Sequence, residues 1–169
     1  DGAQVGDEPV GVVGHGGRAG RARDDAAAGV EAGGAVGLDE RGELFLTSNY
    51  MGKEWLNHTA IRVYDGDLQM KSGEVPLDDP MNNQSDFLEL KWEKVAYTKG
   101  RADSVIHFIA QHPDRKLKCV FLGNRNYYIL LEEFDVKAVI DALELSVAIK
   151  EKQKMAAELE AFKKRRGDI

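Results

Sequence analysis

The chain has a single cysteine, Cys119, in 169 residues. That excludes any disulfide within it and favours a reducing, intracellular compartment. No apolar run approaches the roughly 18 residues that a membrane-crossing helix needs, so no transmembrane segment is expected. Basic residues are the minority, 23 Lys and Arg against 29 Asp and Glu. The resulting charge of −6 and pI near 5.3 argue against general nucleic-acid binding, which requires a basic surface to displace counterions. G-x-S-x-G, C-x-x-C and H-x-x-x-H are all missing, and His15, His58, His107 and His112 have no ligand-like spacing. A non-enzymatic protein with no cofactor and no metal is therefore expected. Aromatic residues are absent before Phe45, which leaves the start of the chain without the large side chains of a core.

Glycine is abundant where aromatics are lacking, with 12 of the 18 lying between Gly2 and Gly42. Residues 1–42 hold eight acids and four arginines among Gly, Ala and Val, a mixture that cannot offset the entropy of ordering by itself. They read as an irregular extension that a partner would order. Within it, Val10 to Ala19 contains G-x-G-x-x-A, the pattern that brings a pyrophosphate to a helix N-terminus. The glycines of Arg21 to Gly34 leave no helix-and-strand unit to follow, so nucleotide binding through the Gly14 loop is the weakest of the readings. The sequence begins at Asp1, not Met, which fits a processed product, such as one freed of an organelle-targeting peptide, or a fragment.

From Glu43 to Glu133 apolar and polar residues alternate in short runs between turn residues, the mark of half-buried antiparallel strands. Thr59 to Lys71 reads as a hairpin about Asp65-Gly66. Further strands are expected at 43–47, 87–97, 104–110, 116–122 and 127–132. Leu88, Leu90 and Trp92 are assigned to one face, and Glu89, Lys91 and Glu93 to the other. His107 falls mid-strand, as a core or interface residue. Leu117, Cys119 and Phe121 fall on a buried face, which makes Cys119 an inert thiol. After Glu133 the period becomes helical, and Val136, Ile140, Leu143 and Val147 form the stripe expected to dock. Met155, Leu159 and Phe162 continue a narrower seam among charged residues that sum to +4 over 150–166. A helix from Phe134 to Arg166 would be roughly 50 Å long, so its far half must project. The expected class is mainly β, α+β: an antiparallel meander or small barrel closed by a long C-terminal helix. Its parts are an extension (1–42), a β domain with the docked half of the helix (43–149), and a projecting charged helix and tail (150–169).

Strands in meander order followed by one amphipathic helix resemble the pleckstrin-homology-like superfold. The segment Gly73-Glu74-Val75-Pro76-Leu77 after a hairpin resembles that of the related GRAM modules. The resemblance covers residues 44–149 and implies two sheets forming a barrel that the last helix plugs. It also implies a lipid-recruited adaptor, with Lys53, Arg62 and Lys71 on anionic headgroups. The preferred expectation is instead a scaffold subunit of a larger intracellular, eukaryotic assembly, touching other subunits through the N-terminal arm and the helix. Its contact residues would be Met155, Leu159 and Phe162, with the Lys163, Lys164, Arg165 and Arg166 cluster meeting an acidic surface.

Overall fold

The computed structural model describes residues 30–167. The expected Gly14 loop and most of the glycine-rich arm lie outside them. Eight strands form two antiparallel sheets, consistent with the expected mainly β class. The first sheet has the order β1 (Glu31–Leu38), β2 (Leu44–Gly52), β6 (Leu90–Tyr97), β5 (Asn82–Phe87). The second has the order β4 (Leu68–Lys71), β3 (Ala60–Asp65), β7 (Lys118–Leu122), β8 (Tyr127–Leu130). Neither order is sequential. The chain leaves the first sheet after β2, makes the β3–β4 hairpin in the second, and returns with the β5–β6 hairpin, whose β6 pairs with β2.

The core lies between the sheets. Leu44, Leu46, Ser48 and Tyr50 alternate inward along β2, while Val63, Cys119 and Phe121 face them from the second sheet. Two helices cover it: α1 (Asp103–Gln111), and the first turns of α2 (Glu133–Arg166), which touch β1, β2 and α1.

β1 lies within residues assigned by composition to the extension. It pairs along its whole length with β2, from Glu31 opposite Met51 to Leu38 opposite Leu44, and buries Val36 and Leu38. A strand needs only a few β-branched or aliphatic side chains on one face when its neighbour supplies the rest of the core. The turn to β2 depends on Gly42, whose φ of +81° disfavours any other residue and whose carbonyl accepts from Ser146 Oγ at 2.5 Å.

The strand expected at 104–110 is α1. Ala102, Val105, Ile106 and Ile109 are all buried, and their spacing of three, one and three is a helical stripe rather than a two-residue alternation. His107 consequently points to solvent, while His112 ends the helix by donating from Nδ1 to the Phe108 carbonyl at 2.8 Å.

The long strand expected at 87–97 is a hairpin, with Phe87 paired to Leu90 across a two-residue turn. Leu88 and Glu89 hold φ of +54° and +64° there, positions that Asn and Gly usually take. Within β6, Leu90 and Trp92 do share a face opposite Lys91 and Glu93, but the inward face is the one that carries Glu93. Glu93, Val95 and Tyr97 point inward, and Trp92 is half-exposed. The β3–β4 hairpin forms as expected, except that Gly66-Asp67 makes the turn and only Gly66 has positive φ.

Candidate functional site

α2 is a 34-residue helix with both ends specified by sequence. At its start Asp135 accepts from the Glu132 N–H at 2.8 Å while Glu132 receives an N–H in return, a reciprocal cap. At its end Gly167 takes φ of +73°, and its N–H reaches the Lys163 and Lys164 carbonyls. Four basic residues fill the last turn, where they complement the negative end of the helix dipole.

The face that docks consists of Val136, Val139, Ala142 and Ser146. Of the expected stripe, Val136 is buried and Ile140 and Leu143 pack half-buried against the core, while Val147 is exposed, so the fully buried line is turned slightly from it. Ser146 takes the inward position, in line with Val139 and Ala142, and its hydroxyl donates to the Gly42 carbonyl. Lys150 pairs with Glu43 at 3.4 Å and Gln153 donates to the Glu40 carbonyl at 3.3 Å. From Lys154 to Arg166 every residue is exposed.

The expected seam lies on that free portion. Met155, Leu159 and Phe162 remain 61%, 52% and 49% exposed. At about 100° per residue, Leu159 lies about 160° round the axis from Val139, so the seam looks away from the domain. Lys163 pairs with Glu160 at 3.9 Å, and the Arg166 guanidinium sits 5.5 Å from the Phe162 ring centre. Lys164 and Arg165 complete the basic turn. The helix thus brings all seven expected contact residues onto one projecting segment.

Lys53, Arg62 and Lys71 are less concentrated. Arg62 and Lys71 are cross-strand neighbours in β3 and β4, but Lys71 donates to Glu74 at 2.5 Å and holds that carboxyl below its ordinary value. Thr59 contributes by donating to the same carboxylate at 2.7 Å. Lys53 is exposed in the connection after β2.

Four buried polar residues that sequence reasoning did not single out form a chain across the core. Glu93 Oε1 accepts from His58 Nδ1 at 2.8 Å and from the His58 N–H at 3.0 Å, and Oε2 accepts from the Leu56 N–H at 2.7 Å. His58 Nε2 lies 2.8 Å from Ser48 Oγ, which lies 2.9 Å from the Tyr97 hydroxyl. The Nδ1–H of His58 donates to the carboxylate, and the Ser48 hydroxyl bridges His58 Nε2 and the Tyr97 hydroxyl. Burial pushes the Glu93 carboxyl up, but the three hydrogen bonds from His58 and Leu56 outweigh it and hold it below 4.5. Burial likewise raises the Tyr97 phenol, opposed only in part by Ser48. The phase of β6 was the available signal: counting inward from Val95 and Tyr97, not from Leu90 and Trp92, places Glu93 inside.

The order Ser48–His58–Glu93 is that of a charge-relay triad, but the serine is enclosed. It is 1% exposed, and its second bond goes to Tyr97. The chain ties β2 and β6 to the connection that enters the second sheet, where His58 stacks on Phe121 with ring centres 5.0 Å apart. Beside it is a cavity of about 70 Å³ with mainly apolar walls, among them Val36, Ile109, Phe121 and Val139, with Ser48 and Asp135 at its polar edge. Cys119 also lines it, and burial pushes that thiol up to about 12, well away from a reactive thiolate. Among the described residues no three of His, Cys, Asp and Glu are grouped to hold a metal ion, and no helix is long and apolar enough to cross a membrane.

No family model, curated protein or solved structure matches this chain.

Proposed function

We propose that the protein is a non-enzymatic interaction subunit of a larger assembly, with the β domain as a rigid mount and the projecting end of α2 as the contact element. One observation carries this reading. The helix turns Met155, Leu159 and Phe162 to solvent on the side opposite its docked face, next to a basic terminal turn. Half-exposed large apolar side chains in a row on a helix are an arrangement that a partner's groove or helix covers. The partner chemistry that suits it is an apolar protein surface with acidic residues at one end. The enclosure of Ser48 supports the non-enzymatic part of the proposal.

Replacing Leu159 and Phe162 with Glu tests the reading. The expected outcome is a smaller native particle on size-exclusion chromatography of the native assembly, with the near-UV circular dichroism of the domain unchanged. Unchanged particle size would count against it. The pairing of Lys71 with Glu74 weakens the case for a lipid-recruited adaptor. That alternative would replace the proposal if the full chain sedimented with anionic vesicles in a salt-sensitive way.

A further inference from the structure

The outward face of α2 carries a longer pattern than its three large side chains. Leu145, Ala148, Lys152, Met155, Leu159, Phe162 and Arg166 recur at alternating intervals of three and four. All seven are exposed, and the series begins while the opposite face is still docked on the domain through Ser146 and Gln153. This is the a/d seam of a coiled coil over three heptads, roughly 32 Å of helix. Position a takes Leu145, Lys152, Leu159 and Arg166, and position d takes Ala148, Met155 and Phe162. A second helix can lie along it without displacing β1 or α1.

We infer that the seam's occupant is the α2 seam of a second copy, laid antiparallel. The inference rests on the interaction reading above and names its partner. Charge decides the orientation. In a parallel pair, the four cations at 163–166 of each copy would lie side by side and Lys152 would face Lys152, a repulsive arrangement at both levels. In an antiparallel pair, each a residue meets a d residue whose number sums with its own to 307. Leu145 then meets Phe162, Ala148 meets Leu159, and Lys152 packs its aliphatic stem on Met155.

The small Ala148 opposite the large Leu159 suits interdigitation. The same register sets Arg166 of each copy against Asp141 of the other. On the flank, Arg165 comes beside Glu144, and both acids are exposed. The basic turn of each helix therefore lands on acids displayed near the docked end of its mate. Two symmetry-related contacts oppose the pairing, Glu151 beside Glu158 on each flank near the centre, where the two Lys152 ammonium groups carry the opposite charge. A closed two-fold dimer results, with two domains at opposite ends of a short rod.

The full-length chain tests this by sedimentation equilibrium and by thiol cross-linking in solution. Cys119 is buried and stays out of exchange while the domain is folded. A dimer is expected at micromolar to about 100 µM protein, weakening with added salt. Mixing an Ala148→Cys chain with a Leu159→Cys chain should give the mixed disulfide under mild oxidation, while Ala148→Cys alone should give little. Arg165→Glu should weaken dimerisation about tenfold, and adding Glu144→Arg in the same chain should restore it.

A monomer throughout the concentration range would overturn the inference, as would a disulfide formed readily by Ala148→Cys alone. Neither result would touch the broader interaction reading. That reading falls only if the double Glu replacement at Leu159 and Phe162 leaves the native assembly intact.

Discussion

The two halves of α2 share one helix and one residue vocabulary, but they obey different physics. Up to Gln153 the helix is fixed by what it lies on: Val136, Val139 and Ala142 fill the space over β1 and α1, and Ser146, Lys150 and Gln153 bond the turn before β2. Beyond it, the 13 residues from Lys154 to Arg166 have helix-favouring composition and a Gly167 cap, and all are exposed. A helix of that length alone would be marginal in water. It forms because the docked half supplies the nucleus, so each further residue adds a hydrogen bond without a new nucleation cost. A domain can in this way hold out a preformed contact surface and lower the ordering cost that a partner would otherwise meet.

If the body is self-sufficient, its interior should contain the largest effects. Glu93→Ala would strip the acceptor from the Leu56 N–H, the His58 N–H and His58 Nδ1 at once, leaving three buried donors. The expected loss is on the order of 3–5 kcal/mol in urea unfolding. A loss below about 1 kcal/mol would mean that the polar chain does not organise the core. Next comes the docked half of the helix. Val139→Asp puts a carboxylate against Ile109 and Val36 at the cavity wall and should cost on the order of 3 kcal/mol. Equal losses for Val139→Asp and Leu159→Asp would erase the distinction between the halves.

Changing pH probes the same interior. Cys119 has its folded value raised from 9.0 to about 12, so its contribution is complete below pH 9 and drains away as pH rises towards 12. Tyr97 acts in the same direction at still higher pH. Glu93 has its value depressed, so its contribution is complete above pH 4.5 and is lost as pH falls through the lower folded value. Glu74 adds a small exposed term of the same sign, and Asp135, raised from 3.8 mainly by burial, opposes both. Thermal melting between pH 2 and 11 should therefore show a plateau with shoulders below 4.5 and above 9. Removing Cys119 as Cys119→Val should reduce the alkaline shoulder by a few kcal/mol at most.

A stabilising change offers a smaller test, at the β5–β6 turn. Leu88→Asn with Glu89→Gly relieves positive φ at both positions and should raise stability by about 1 kcal/mol, a few degrees in Tm. No gain would indicate that the loops beside it already absorb the strain.

These tests fall where the sequence was least legible. The β3–β4 hairpin, the β7 face through Leu117, Cys119 and Phe121, and both limits of α2 could be read from local pattern, because each is fixed by neighbours within a few residues. The β2–β6 pairing could not, since it joins segments some 45 residues apart, Leu46 to Tyr97 through Gly52 to Lys91. α1 was hidden because a short apolar run fits both periods, and only the buried Ala102 a turn earlier separates them. β1 was hidden by glycine, whose neighbours on β2 supply the missing side chains. Met155, Leu159 and Phe162 of the helix seam were legible, but their rotation relative to the docked face was not. That depended on packing against β1 and α1 and on bonds to the distant turn at residues 40–43.

The smallest expected effect on folding bears most directly on the two halves. Leu159→Glu with Phe162→Glu removes two large apolar side chains that are about half exposed, so urea unfolding of the domain, measured at dilutions where the chain is monomeric, should shift by less than about 0.5 kcal/mol. Helix propensity changes little, because Glu is nearly as favourable as Leu and better than Phe. Far-UV circular dichroism should likewise be preserved. On the proposed reading the two residues matter only when another surface lies over them, so their cost should appear in assembly and be missing from stability. A loss above about 1 kcal/mol in the monomeric chain would show that the far half of α2 folds back on its own domain in solution, and the division of the helix into a mount and a contact would then be abandoned.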